Sequence, residues 1–379
     1  MSKKLLVYGA FGRHNLGDML FPWVVDEYLR VEGVECDVEY ADLLPRDMRY
    51  MGGHYVKGIS DFFDCNEEVN LFVAGGEVGR CGLLEALGFL EPATQDVASL
   101  SKLFAVFEGF PAYLPRKSCF LNPGSFITGA IGGFSDPCAS ILDQYESVFF
   151  RDLLSSRRAS QASRSGRAYG SVPDVAIAAP ELLASRVDHA VRLSPGLRNL
   201  FHEYPGGYVL MQVSAKWFGL PKFSQGLKKV VDGIRVQVGL PVVLICAGSV
   251  PGTDSVSAYI MNLIAGGSSS GIRVWEVGSI WDDLSVISRA SFCVSTSLHM
   301  RILSAAYAIP RLTLFRQQKV DAFISQWDDV KEDPAEVELE CVVESICRRI
   351  SGYDRYSTLA NNRRLVKASL SCLSPLKDL

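Results

Sequence analysis

Short apolar runs of strand length alternate with amphipathic helical stretches along most of this 379-residue chain, and that rhythm constrains the fold more than any single motif. The runs LLVYG, VECDVEY, VNLFVAGG, CFLNPG and SVFFRD, with helical stretches between them, mark a parallel sheet covered by helices on its faces. The first helix is expected from about Met19 to Val31. Leu20, Val24 and Tyr28 recur at helical spacing there, as do Phe21, Val25 and Leu29, with Pro22 in the first turn and Gly33 closing the end. The pattern weakens between about Pro180 and Gly206, then restarts with GYVLMQVS, PVVLICAG, IRVWEVG, SFCVSTS and RLTLF. Helical stretches near Lys222–Val238, Val256–Ile264 and Trp281–Ala290 separate these strands. The expectation is an α/β chain of two Rossmann-like domains, residues 1–190 and 191–336, with a helical tail, 337–379, that packs back on the first domain.

Composition supports that division. With 48% hydrophobic and 21% charged residues the chain is globular, and its length exceeds what one ordinary core organises. Two domains imply a cleft. A net charge of -4 argues against a general nucleic-acid binder and leaves room for a local basic pocket that grips a small anion. Ten cysteines without a C-x-x-C pair fit reduced thiols better than a disulfide framework or a zinc site. The opening MSKKLLVYGAFG is basic and then apolar, but the run is a short strand ending in glycine, without the core of a signal peptide. No uninterrupted apolar stretch reaches bilayer length. These features predict a cytoplasmic protein that meets a membrane-linked substrate only at its surface. The Ser155–Arg167 stretch, rich in serine and arginine, reads as a solvated helix.

Three motifs fall at strand ends in the first half. GAFGRHNLGDML follows LLVYG and precedes the first helix, so its glycines allow a sharp turn while Asn15 and Asp18 are capping-type residues at a helix start that favours anions. Its spacing is not the dinucleotide fingerprint. VNLFVAGGEVG brings Gly75 and Gly76 to the same rim, with Glu77 placed to accept a sugar hydroxyl or to cap a helix. SVFFRD ends a strand in Arg151, whose fork suits phosphate or carboxylate, the alternative being an Arg151–Asp152 pair at a helix start. Asp174 of SVPDVAI follows another strand, as a cap or as a functional group.

In the second half, Gln212, Ser214 and Lys216 alternate after a strand and share one face of the extended chain, with Lys216 a candidate anion contact. The loop after the next strand offers Ser249 and Asp254. SFCVSTSLHMRILSAAYAIPRLTLF reads as a βαβ unit, and its turn carries His299 to the carboxyl rim of a parallel sheet, where open α/β sheets bind ligands. His299 is the best placed of the five histidines for acid–base work, and His14 is second. Arg301, two residues on, points to another side of the helix.

In their order these pieces resemble the polysaccharide pyruvyl transferase family, from about Leu5 to Leu314. FGRHNLGD, containing Asn15, Gly17 and Asp18, is similar to the family's G-x-x-N-x-G-D element. VAGGEVG matches its strand and glycine run, FFRD its R-D element, VPDVAI its P-D, and STSLHMRILSAAYAIP its histidine, small-residue helix and closing proline. The chain departs from the pattern at Ser297, where many members carry arginine, and at Met300, where many carry glycine. The resemblance implies that the donor's anion contact moves to Arg151, Lys216 or Arg301, with Ser297 and Ser214 also lining the site. It also implies two parallel-sheet domains facing across a cleft, as in GT-B glycosyltransferases, with the acceptor on the first and the donor on the second.

The implied reaction moves the pyruvyl group of phosphoenolpyruvate onto two hydroxyls of one sugar, with His299 as acid–base and Arg151 on the donor. It demands no metal or redox cofactor. The implied partners are phosphoenolpyruvate and a sugar or lipid-linked glycan, with no nucleic acid; peripheral membrane contact and a homo-oligomer are compatible. Two rivals remain at this point: a GT-B glycosyltransferase that uses a nucleotide sugar, with Asp282 and Asp283 near its ribose, and a non-catalytic sugar-binding family member.

Overall fold

A computed structural model describes residues 3–90, 97–214, 221–248, 271–276, 278–314, 316–332 and 341–379. The chain divides into two compact units, residues 1–178 with 365–379, and residues 179–364.

Among the described residues the first unit is built on eight strands: β1 (Lys3–Tyr8), β2 (Cys36–Asp42), β3 (Arg46–Asp47), β4 (Tyr55–Gly58), β5 (Val69–Val73), β6 (Pro123–Ile131), β7 (Ser147–Phe150) and β8 (Gly170–Ser171). They lie in the order β3-β4-β2-β1-β5-β6-β7-β8, parallel except where β3 meets β4. The connections run outward in both directions from β1, so the order reverses where β1 meets β5. Strands buried on both faces should be largely apolar: Leu5–Tyr8 is apolar throughout, and Val69–Val73 is apolar except for the buried Asn70.

The second unit holds β9 (Val209–Gln212), β10 (Val242–Leu244), β11 (Ile272–Val274), β12 (Phe292–Ser295) and β13 (Arg311–Thr313), all parallel, in the order β11-β10-β9-β12-β13. Its reversal lies where β9 meets β12. Each unit has its own core, one around Leu6, Leu71 and Phe126, the other around Val209, Leu244 and Val294.

Several expectations shift. The first helix spans Leu16–Glu32, because Asn15 accepts from the Asp18 amide and caps it earlier than expected, while Gly33 ends it at φ 69°. Pro22 therefore lies inside the helix, where its ring cannot donate to the Asp18 carbonyl. CFLNPG is not a strand: Lys117–Cys119 forms a 3-10 turn and β6 begins only at Pro123. The second unit begins at Ala179, ahead of the expected boundary at 191, because the Ala184–Leu193 helix packs on the Ile280–Ser288 helix. The tail splits as well. Val342–Gly352 packs in the second unit, against Ile234–Val238 and β13, whereas Ser371–Asp378 packs on β6, β7 and the first helix. The helix expected at Val256–Ile264 lies outside the described residues. Among the described residues no helix is long and apolar enough to cross a membrane.

Candidate functional site

In each unit several of the described residues singled out from sequence lie at the carboxyl edge near where strand order reverses, the place where open α/β sheets form a ligand crevice. In the first unit the loop after β1 is pressed onto the loop after β5. The Ala74 amide donates to the Tyr8 carbonyl at 2.9 Å, and a Cβ at Gly9 would lie only 2.1 Å from the Ala74 oxygen. Gly75 takes φ 129°, a region that glycine alone enters readily. Above Gly76, Asp18 and Arg151 converge: a Cβ there would lie 3.5 Å from Asp18 Oδ1 and 3.4 Å from Arg151 Nη1. Gly17 is buried in the first turn beside them.

Arg151 is 6% exposed, and its fork is closed by carboxylates of its own unit. Nη2 donates to Glu77 Oε1 at 2.6 Å and Nη1 to Asp174 Oδ2 at 3.4 Å. Burial works against its charge, but Glu77 and Asp174 more than offset that and leave its pKa raised. The guanidinium expected to grip a donor anion is thus held between two carboxylates, and a third anion would have to compete with both. The Arg151–Asp152 pair does not form; Asp152 instead caps the Leu153–Ala162 helix, accepting from the Ser155 amide at 2.7 Å. Asp174 takes the capping role as well, since its other oxygen accepts from the Ala176 amide at 3.0 Å.

Three residues at this rim escaped the sequence reading. Arg13 donates to Asp18 Oδ2 at 3.1 Å and lies 4.9 Å from the Phe89 ring centroid. Gly132 leaves room for Arg151, whose Nε would be 2.4 Å from a Cβ there. Asp42, fully buried at the end of β2, accepts from the Gly12 and Leu43 amides, each at 2.6 Å, and from the Tyr113 hydroxyl at 3.2 Å, which pins the glycine loop from below. Burial pushes its pKa up to about 6. Glycine at the end of β6 and aspartate at the end of β2 were the available signals. His14 is buried in the same loop, and burial lowers its pKa to about 4.

In the second unit Thr296 joins the two central strand ends. Its amide donates to the Gln212 carbonyl at 3.1 Å, and its hydroxyl accepts from the Ser214 amide at 2.8 Å. Ser297 caps the Leu298–Ala306 helix by accepting from the Met300 amide at 3.5 Å. That cap holds half-buried His299 in the first turn, beside Ser297 and above β12. Met300 is fully buried in the core, so a side chain fills the position where many members carry glycine.

Arg301 is spent inside the unit. Its guanidinium reaches Asp328 Oδ2 at 2.6 Å, Thr313 Oγ1 and the Val330 carbonyl each at 2.8 Å, and also Glu332, with no side-chain exposure. It is a core tether, not a substrate contact. Lys216, Ser249 and Asp254 lie outside the described residues.

A model of the polysaccharide pyruvyl transferase family matches residues 15–314, from the Asn15 cap to the strand beyond His299. The chain belongs to that family. No curated protein matches the sequence significantly. Among solved structures, this pyruvyl transferase family member resembles UDP-GlcNAc 2-epimerase from Neisseria meningitidis, at TM-score 0.59 and 12% identity, over 100% of both chains. It also resembles the Methanocaldococcus jannaschii UDP-GlcNAc 2-epimerase, at TM-score 0.55 and 9% identity over 94% of each chain. A third similar structure is the trehalose 6-phosphate synthase of Burkholderia multivorans, at TM-score 0.53 and 12% identity, over 100% of this chain and 97% of that one. At such identities the likeness is one of fold, and the fold is the GT-B type.

Proposed function

We propose that this chain transfers the pyruvyl group of phosphoenolpyruvate to two hydroxyls of one sugar in a cell-surface polysaccharide or its lipid-linked precursor. The observation that carries the proposal is the family match, whose span takes in the Asn15–Asp18 cap, Glu77, Arg151 and His299. In the reaction the donor's methylene carbon takes up a proton, which makes the central carbon electrophilic. A sugar hydroxyl bonds to that carbon and gives up its proton, which replaces the one added to the methylene; a second hydroxyl then displaces phosphate, which leaves with its electron pair and takes the second hydroxyl's proton as the ketal ring closes.

His299 is assigned to the proton transfers, because it is half-buried at the strand-order reversal of the second unit and an imidazole can both donate and accept a proton. The backbone amides at the start of its helix favour a nearby anion. Ser214, Ser297 and Lys216 are assigned to the donor's polar groups. The first unit is assigned to the acceptor. Asp18, Glu77 and Asp174 are all ion-paired there, with Arg13, Arg80 and Arg151, and carboxylates whose charge is largely compensated suit hydroxyl-rich sugar better than a trianionic donor. Arg151 in this assignment positions Glu77.

Purified protein incubated with phosphoenolpyruvate and a glycan acceptor should release phosphate and add pyruvate to the glycan, detected by mass spectrometry. His299→Gln should cut turnover by about a hundredfold or more while leaving the circular dichroism spectrum unchanged. Full turnover in that variant would remove His299 from the chemistry. Release of UDP from a UDP-sugar, with no phosphate released from phosphoenolpyruvate, would replace the reaction with a nucleotide-sugar one.

A further inference from the structure

Against the Ile280–Ser288 helix of the second unit lies a groove of about 660 Å³, within the range that small ligands occupy. One wall is a face of the Ala184–Leu193 helix bearing Ser185, Arg186, His189 and Arg192, which helical spacing brings to the same side. The other wall bears Trp281 and Asp282. The Arg186 guanidinium lies over the Trp281 indole, 5.5 Å from its ring centroid, so the groove presents a planar guanidinium backed by an indole.

Among the described residues that line the groove, two guanidiniums and an imidazole face a single carboxylate, a cationic balance in a chain whose net charge is -4. His299 does not line it, and no step of pyruvyl transfer uses its residues. The groove thus combines three features: a flat π layer, cations on an exposed rim, and a half-buried carboxylate able to accept hydroxyl hydrogens. A phosphorylated sugar without a ring system would use the second and third and leave the first idle. A nucleoside monophosphate uses all of them.

We propose that this groove is a binding site for a nucleoside monophosphate, with the base on the Trp281–Arg186 layer, the phosphate at Arg192 and His189, and ribose hydroxyls at Asp282. The test is calorimetric titration of the full-length protein with adenosine 5′-monophosphate, and separately with adenosine and with inorganic phosphate. The nucleotide should bind one per chain, and adenosine and phosphate should each bind about tenfold more weakly or worse, a difference set by losing one of the two anchors. Arg192 is exposed, so Arg192→Gln should fold normally and weaken the nucleotide about tenfold, as should Trp281→Leu, with pyruvyl transfer unchanged in both. His299→Gln should bind the nucleotide like wild type. No nucleotide binding at millimolar concentration overturns the proposal, as does binding that both groove variants leave intact, phosphate that matches the nucleotide, or loss of binding in His299→Gln.

Discussion

Glu77 carries one end of a buried guanidinium while its own side chain stays 30% exposed, so its removal costs more than a surface ion pair would. Glu77→Gln leaves Arg151 with Asp174 at 3.4 Å as its remaining described carboxylate partner, and should destabilise the first unit by about 2 kcal/mol in urea denaturation. An unchanged midpoint would show that Arg151 relies on other contacts. Beneath the same loop two buried groups titrate in opposite senses. His14 has a folded pKa near 4, below its ordinary value of 6.5, so the stability it contributes is present above pH 6.5 and lost as pH falls toward 4. Asp42 has a folded pKa near 6, above its ordinary 3.8, so its ionisation costs stability progressively as pH rises from about 4 through 6. Each effect is roughly 3 kcal/mol, and they nearly cancel over one window. His14→Gln should remove one side of that balance. Its stability relative to wild type should improve by about 2 kcal/mol between pH 7 and pH 4.5, and a flat difference would show that burial does not depress His14.

Among the helices and strands, legibility tracks how local the determining contacts are. β1, β5, β9 and β12 were readable because a strand buried on both faces is largely apolar and ends at a turn, and those constraints act within a few residues. The two-residue β3 and β8 left no such trace, since their pairing depends on partners already in place. The histidine turn and both glycine loops were legible for the same local reason. The fate of the arginines was not. Whether Arg151 and Arg301 are available or consumed depends on Glu77, Asp174, Asp328 and Glu332, which lie far off in sequence and carry no periodicity to announce them. Asp328 shows how much rests on such contacts. It is buried between Arg301 and Arg311, and although burial opposes its charge, the two guanidiniums hold its pKa well below the carboxylate range. Asp328→Asn would leave two buried cations undercompensated, and a loss of about 3–5 kcal/mol is expected. Calorimetric melting would show it as a fall in the unfolding temperature, whereas no change would make the pair dispensable to the core.

At the scale of the whole molecule, the chain leaves the first unit at Ala178 and re-enters it at Leu365, so the fold of that unit is completed only by residues 365–379. Cys372, Leu373 and Leu376 are fully buried, and the segment that carries them packs on β6, β7 and the first helix. Around them Lys377 reaches Glu32 at 2.5 Å, a surface pair that contributes little next to the apolar burial. Three buried side chains at roughly 1.5–3 kcal/mol each imply about 5 kcal/mol held by this closing segment. The second unit has its own core around Val209, Leu244 and Val294, which these residues do not enter. Truncation after Leu370 should therefore strip amide protection from β6 and β7 in hydrogen exchange while β9 and β12 keep theirs. Equal loss of protection in both sheets would mean that the two units unfold as one cooperative body, and the closing segment would then stabilise the entire chain instead of the unit it completes.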